Sequence, residues 1–294
     1  MPSFKDALEQ GRFVITTEEP PPRGADVAPF FRRTGHLRGM VDGINLTEAS
    51  AGVMTMSPAG LVPGLVEQGH TPIAQITCRD RNRIALQAEV LAVAALGAEV
   101  IVGMNGDPVE GGGHPGDIAV HDLDTPGLLR MIAGLNEGHD MAGNGLHGKP
   151  NLFIGAVVNP GADDMERELA WMERKAEAGA RFFQTQAIYD PALLRRFMTR
   201  TVHLNVPVIA TYIVPKSGEM ARRINRSVPG VHVPEAMIER LEAKPGTPEH
   251  AIEISGPILS ELAGLCQGIH VIAVGWEARF PAILDAAGVA RPAP

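Results

Sequence analysis

Residues 12–26 have the sequence RFVITTEEPPPRGAD. The Val, Ile and Thr residues favour a half-buried strand, and the three prolines end it because proline cannot donate a hydrogen bond to a neighbouring strand. Glu18 and Glu19 therefore lie where a strand gives way to a loop, the end at which parallel sheets and barrels bind ligands. The alternative is that both are surface glutamates before a turn, which is the usual location of glutamate.

The rest of the chain repeats a strand-then-helix pattern. Strand-like segments occur near 43–49, 72–78, 99–107, 151–160, 180–190, 206–215 and 269–276. Strands that alternate with helices indicate parallel βαβ units, and eight units in 294 residues predict an α/β fold of the closed (β/α)8 TIM-barrel type. The long segment between strands 7 and 8 predicts extra helices over the ligand-binding end. We expect residues 1–294 to form a single catalytic barrel domain.

The composition excludes several classes of partner. A net charge of −8 lacks the basic face that nucleic acids require. No apolar run approaches the ~20 residues of a membrane span, and the N-terminus does not resemble a signal peptide. Cys78 and Cys266 belong to no C-x-x-C motif, which indicates free thiols in a reducing compartment. We expect a cytoplasmic homo-oligomer that binds a small molecule.

The predicted strand ends carry amides and hydroxyls more than charges. They include Glu18, Glu19, Asn45, Thr47, Gln75, Thr77, Asp107, Asn159, Gln186, Tyr189, Tyr212 and Trp276. The alternative for several of them is a loop-capping role. The ten histidines form no HxH or HExxH motif, so no metal site is expected. A nucleophilic serine is not indicated either, because the chain has no G-x-S-x-G motif.

The loop after the fourth strand is the best cofactor candidate. Residues 102–117 have the sequence VGMNGDPVEGGGHPGD, and its glycines allow the backbone to approach a flat or phosphorylated ligand closely. The loop is neither a G-x-G-x-x-G motif nor a P-loop. Asp107 lies at its base.

Seven segments, in order, resemble motifs of the methylenetetrahydrofolate reductase family. They are TEEPPPRGAD (17–26), NLTEAS (45–50), AQITCRD (74–80), GMNGDP (103–108), HDLDT (121–125), ERKAEAGARFFQTQAIYD (173–190) and GWEARFPAILDAAGVARP (275–292). The resemblance implies reduction of 5,10-methylenetetrahydrofolate to 5-methyltetrahydrofolate, with FAD as the hydride donor and NADH or NADPH as the source of electrons. It covers nearly the whole chain.

The same resemblance assigns roles to individual residues. Glu18 would protonate N10 of the folate, Asp107 would stabilise the resulting cation, and Glu19 would be a loop residue. Gln186, Asp107 and Tyr212 would bind the substrate. The flavin contacts would be Thr47, Gln75, Asn105, Gly106, Asp107, His121, Glu168 and Lys175.

Three departures from the family pattern leave alternatives open. Asn105 replaces an arginine, Gln75 replaces a histidine that contacts flavin in many members, and Glu19 and Pro20 replace the phenylalanines that flank the usual proline pair. One alternative is therefore a flavin-independent reductase that takes hydride directly from a nicotinamide or a deazaflavin. Another is a non-catalytic, pterin-binding barrel subunit.

Overall fold

Eight parallel strands form a closed barrel in the order of the chain, which confirms the predicted (β/α)8 fold. The computed structural model describes residues 3–109, 113–114, 116–228, 230–244 and 246–292, so residues 110–112 and 115 of the glycine-rich loop lie outside the described residues. The strands are β1 (Val14–Glu19), β2 (Gly43–Leu46), β3 (Pro72–Thr77), β4 (Val100–Met104), β5 (Phe153–Val158), β6 (Phe182–Ala187), β7 (Val208–Ile213) and β8 (Gly268–Ile272).

Helices surround the barrel. They are α1 (Phe4–Glu9), α2 (Ala28–Gly35), α3 (Val62–Glu67), α4 (Arg83–Ala95), α5 (Thr125–Glu137), α6 (Met165–Glu177), α7 (Pro191–Thr201), α8 (Gly218–Ser227), α9 (Glu235–Ala243), α10 (Pro248–Ala263) and α11 (Phe280–Ala287). No helix among the described residues is both long and apolar enough to cross a bilayer.

The segment between β7 and β8 forms three helices, as predicted. Helix α10 packs against β7, β8, α7 and α11, so it belongs to the outer helical layer. Helices α8 and α9 are the additional elements. The turn between them reaches the carboxyl end of β5, where a Cβ added at Gly230 would lie 2.1 Å from Nδ2 of Asn159.

The amino end of the barrel is closed by α1, which the sequence analysis did not predict. The helix begins with a capping box between Ser3 and Asp6 and inserts Phe4 beneath the strands. The Phe4 ring lies edge-on to the Phe182 ring, with 5.4 Å between the centroids, and Phe153 stacks on Phe182. Among the described residues, an apolar layer therefore closes the barrel lumen at this end.

Candidate active site

A polar layer lies inside the barrel, above the apolar layer. Asn45 on β2 donates to Gln184 on β6 with 2.7 Å between Nδ2 and Oε1. These strands are not neighbours in the sheet, so both side chains project into the lumen. Because side chains alternate along a strand, Thr16 and Glu18 of β1 share this inward orientation, and Nε2 of Gln184 lies 3.5 Å from Oγ1 of Thr16.

The polar layer continues to Glu18 through His270. Nδ1 of His270 lies 2.8 Å from Oγ1 of Thr16, and its Nε2 lies 3.6 Å from Oε2 of Glu18. His270 is buried, whereas the Glu18 side chain is 24% exposed. A chain of polar contacts therefore ends at a carboxyl group that ligands can reach from the mouth of the barrel.

Sequence reasoning missed His270, because the inward orientation of its side chain follows from the pairing of β8 with β1, which only the structure shows. β8 pairs with β1 in parallel, and Thr16 is the register partner of His270. Since neighbouring residues in a register share a face of the sheet, the inward orientation of Thr16 also applies to His270.

The expectation that Glu19 is a loop residue is wrong. Glu19 is the last residue of β1 and is 1% exposed. Alternation turns its side chain away from the lumen, toward α2, where Oε2 accepts a hydrogen bond of 3.0 Å from Nε of Arg33. Burial, together with a hydrogen bond to Glu277 and the charge of that group, raises the pKa of Glu19 to about 8 although Arg33 opposes the shift.

Asp107 is held at the mouth by two backbone contacts. Its Oδ2 accepts a hydrogen bond of 2.6 Å from the backbone N–H of Ala51, and its carbonyl accepts one of 2.9 Å from Nη1 of Arg79. Arg79 is almost completely buried and also bonds to the Ala49 carbonyl. The loops after β2, β3 and β4 are therefore tied together around an exposed carboxylate.

A cleft of about 350 Å³ opens beside Asp107 between the ends of β4, β5 and β6. It brings together six of the residues predicted from sequence: Asn105, Gly106, Asp107, Glu168, Lys175 and Gln186. Gly106 has a φ of 91°, and a Cβ there would lie 2.9 Å from the Arg79 Cβ. Glycine is required at this turn because other residues rarely adopt such a φ and the space is filled.

Lys175 supplies a buried positive charge to this cleft. Its side chain is 3% exposed, and its Nζ donates a hydrogen bond of 2.5 Å to the Val157 carbonyl. Glu168 lies 3.8 Å away. Burial lowers the pKa of Lys175 to about 8, and Glu168 only partly offsets this.

The remaining predicted residues divide into two groups. Thr47, directly after β2, and Gln75, within β3, are buried and are not among the residues that line the cleft. Tyr212 and His121 also lie outside the cleft. Alternation along β7 turns Tyr212 outward, where its fully buried ring packs 5.0 Å from that of Tyr189. This corrects the expectation that Tyr212 faces a ligand in the lumen. His121 is exposed in the loop before α5.

The fold and site together define a (β/α)8-barrel protein with a candidate ligand site at the carboxyl ends of its strands. The family model for methylenetetrahydrofolate reductase matches residues 3–288, and the chain belongs to that family. Methylenetetrahydrofolate reductase 2 of Schizosaccharomyces pombe is 24% identical over 244 residues, which cover 76% of this chain and 37% of that protein. The chain therefore spans little more than a third of that relative's length.

Solved structures share the fold at low sequence identity. EDTA monooxygenase from Chelativorans sp. BNC1 superimposes with a TM-score of 0.56 at 11% identity, covering 94% of this chain and 93% of that one. A Yersinia pestis DHPS bound to a pterine-sulfa conjugate gives a TM-score of 0.51 at 15% identity, covering 95% and 94%. A 2,3-dimethylmalate lyase gives 0.53 at 11% identity, covering 97% and 85%. These similarities concern the barrel alone.

Proposed function

We propose that this chain is a single catalytic domain that reduces 5,10-methylenetetrahydrofolate to 5-methyltetrahydrofolate. Family membership over residues 3–288 supports the substrate. The observation that carries the proposal is the carboxyl group of Glu18 at the open end of the barrel, with His270 directly behind it.

Glu18 would act as the acid that opens the imidazolidine ring. The one-carbon unit accepts hydride only after the bond to N10 breaks and a 5-iminium cation forms, and that bond breaks when N10 receives a proton. The Glu18 side chain is partly exposed at the carboxyl end of the barrel, where a bound substrate could contact it. Since Thr16 occupies Nδ1 of His270, Nε2 is the ring atom left to exchange a proton with Glu18 and to hold its carboxyl in position.

Asp107 and Gln186 would bind and orient the pterin. An ionised Asp107 carboxylate stabilises a cation that forms beside it, and its hydrogen bond to Ala51 fixes where that charge lies. Oε1 of Gln186 accepts a hydrogen bond of 3.0 Å from the N–H of Ala187. This fixes the direction of the amide and leaves its NH₂ group to donate to a ligand in the cleft.

The residues of the cleft fit a flavin. Backbone at Gly106 can approach a planar ring because no side chain intervenes, and Asn105, Asp107 and Gln186 offer donors and acceptors to the edge of a ring. Lys175 is a buried ammonium group with a single carboxylate near it, an arrangement that suits an anionic phosphate. When bound there, reduced FAD would supply the hydride, and NADH or NADPH would supply the electrons.

An anaerobic titration tests this proposal. The purified protein is expected to show the absorbance bands of oxidised flavin, and adding 5-methyltetrahydrofolate without oxygen should bleach them as the reaction runs in reverse. A colourless protein that still oxidises NADH or NADPH in the presence of methylenetetrahydrofolate would favour the flavin-independent alternative. A flavin that 5-methyltetrahydrofolate cannot bleach would contradict the proposed substrate.

A further inference from the structure

The loop after β2 adopts a conformation that its own residues disfavour. In this β2 loop (residues 47–53), Ala49 and Ala51 have φ values of 42° and 53°, in the left-handed region where the Cβ of an alanine crowds the backbone. Each such residue lowers the population of the conformation roughly ten-fold relative to the right-handed alternative. Contacts from outside the β2 loop must therefore stabilise it.

Two hydrogen bonds hold the β2 loop in this conformation, and both lead to the turn that carries Asp107. The backbone N–H of Ala51 donates to Oδ2 of Asp107 at 2.6 Å. The Ala49 carbonyl accepts a hydrogen bond of 3.1 Å from Nη2 of Arg79, and Nη1 of the same guanidinium donates to the Asp107 carbonyl at 2.9 Å. One side chain on the loop after β3 therefore joins the β2 loop to the Asp107 turn.

Arg79 is itself fixed by its neighbours. Its side chain is 2% exposed, and its Nε and Nη2 donate to the two oxygens of the Asp80 carboxylate at 2.6 and 2.7 Å. With the two carbonyls, four of its five N–H donors are used. The side chain also packs against Gly106, where an added Cβ would lie 2.9 Å from the Arg79 Cβ. The planar, forked guanidinium can satisfy three acceptor groups at once in a way that a lysine ammonium cannot.

We propose that Arg79 is a positioning residue that holds the β2 loop against the Asp107 carboxylate and thereby fixes which of its oxygens meets a ligand. Oδ2 is bound to the Ala51 N–H, so Oδ1 is the oxygen left for a ligand in the cleft. This arrangement needs no ligand and is a property of the free chain. Only its effect on turnover rests on the proposed function, in which Asp107 stabilises a cation.

Removing the guanidinium affects the β2 loop first and Asp107 second. Without the bond to its carbonyl, Ala49 can return to the right-handed region, and the Ala51 N–H then turns away from Oδ2. The exposed Asp107 side chain loses the contact that selects one of its rotamers. A carboxylate that is spread over several rotamers stabilises a nearby cation less, because this stabilisation depends on a charge that is already in place.

Hydrogen exchange of the Ala51 amide in the full-length, ligand-free protein measures the first effect. Arg79→Met retains an apolar side chain and removes the donors, and we expect the amide to exchange about ten-fold faster because the β2 loop opens more often. Adding Ala49→Gly to this variant should slow the exchange to within about three-fold of the wild-type rate, since glycine adopts the left-handed region without a steric cost. Ser50 and Ala51, which flank the measured amide, stay unchanged.

A matched alanine controls for the added glycine. Ala142 is exposed in a different loop and is not among the residues with a positive φ, so Ala142→Gly in the Arg79→Met background should leave the fast exchange unchanged. Exchange of the Ala51 amide that does not rise in Arg79→Met would overturn the proposal. Fast exchange that Ala49→Gly fails to slow, or that Ala142→Gly slows equally, would also overturn it.

Arg79→Lys keeps the test decisive if Arg79→Met does not fold. Lysine retains a long apolar stem and the positive charge beside Asp80, but its ammonium group lacks the fork that reaches Asp80 and both carbonyls together. We expect the Ala51 amide to exchange about three-fold faster in this variant than in the wild type. A wild-type exchange rate in Arg79→Lys would contradict the proposed role of the guanidinium.

Stopped-flow kinetics distinguish positioning of Asp107 from a general loss of structure. Arg79→Met should slow reoxidation of the reduced flavin by methylenetetrahydrofolate about ten-fold, while NADH or NADPH reduces the flavin at the wild-type rate. Arg79→Met combined with Asp107→Asn should be little slower than Asp107→Asn alone, because effects that act through one group are not additive. Effects that multiply would refute action through Asp107. If the wild type itself does not react with methylenetetrahydrofolate, the proposed function fails, and the exchange rates still decide the role of Arg79.

Discussion

Replacing Lys175 by methionine is expected to stabilise the ligand-free protein and to weaken its binding of flavin. The lysine side chain is 3% exposed, and its ammonium group loses hydration that Glu168 and the Val157 carbonyl only partly replace. Methionine is a flexible apolar residue that fills irregular buried space. The substitution therefore removes a buried charge while largely preserving the packing.

The size of the effect follows from the pKa of Lys175. Lowering it from the ordinary 10.5 to about 8 corresponds to roughly 3 kcal/mol at neutral pH, at ~1.4 kcal/mol per pH unit. Losing the hydrogen bond to Val157 costs about 1 kcal/mol, which leaves about 2 kcal/mol in favour of methionine. With an unfolding entropy of about 2.1 cal/mol/K per residue over 294 residues, Tm should rise by about 3 °C.

Because the pKa of Lys175 is lowered, the effect of Lys175→Met on Tm should also depend on pH. The penalty in the wild-type protein is complete below pH 8 and fades as the pH rises toward 10.5, where the unfolded chain also loses the charge. The difference in Tm between Lys175→Met and wild type should therefore shrink above pH 8.

Calorimetry of the flavin-free proteins measures the predicted rise in Tm. Lys149→Met, at an exposed position, is the control and should leave Tm unchanged. Fluorescence titration with FAD measures the predicted loss of flavin affinity, and losing a charged contact to phosphate should weaken binding about ten-fold or more. A lower Tm in Lys175→Met would refute the charge-burial argument. Unchanged FAD affinity would remove Lys175 from the cofactor site.

Three other substitutions test the site. His270→Gln should lower kcat about ten-fold or more with little change in KM, because it affects proton exchange with Glu18; steady-state kinetics that match the wild type would exclude this role. Gly106→Ala should reduce the flavin content of the purified protein, measured by absorbance, because φ is 91° and the added Cβ would lie 2.9 Å from Arg79; full flavin content would count against a cofactor at this turn. Asp107→Asn should slow oxidation of reduced flavin by methylenetetrahydrofolate about ten-fold or more in stopped-flow experiments, while reduction by NADH continues; equal slowing of both steps would assign Asp107 to flavin binding instead.

The barrel itself could be predicted from sequence because its signals are local and repeat along the chain. Each strand is a short apolar run that ends at a turn or a polar residue, and the strand order follows from eight successive βα units. Helix α1 escaped prediction because six residues give too short a pattern to recognise. Its role as the closure of the barrel depends on contacts with Phe153 and Phe182, which are distant in sequence.

Site residues could be predicted where their position at a strand end is sufficient. They could not be predicted where the role depends on which face of the strand the side chain occupies. In the cleft, Asp107 and Gln186 follow from their positions at strand ends, whereas Lys175 lies on α6 and was indicated only by the family resemblance. Glu19 and Tyr212 were misjudged because adjacent residues on a strand face opposite sides, and only an assigned register shows which side is the lumen.

The most direct test of the central claim measures the two half-reactions of Glu18→Gln separately in stopped-flow experiments, with Glu67→Gln as the control. If Glu18 is the acid, NADH or NADPH should reduce the bound flavin at the wild-type rate, while its reoxidation by methylenetetrahydrofolate should slow about a hundred-fold or more. If reoxidation continues at the wild-type rate, or if both half-reactions fall together, Glu18 is not the proton donor.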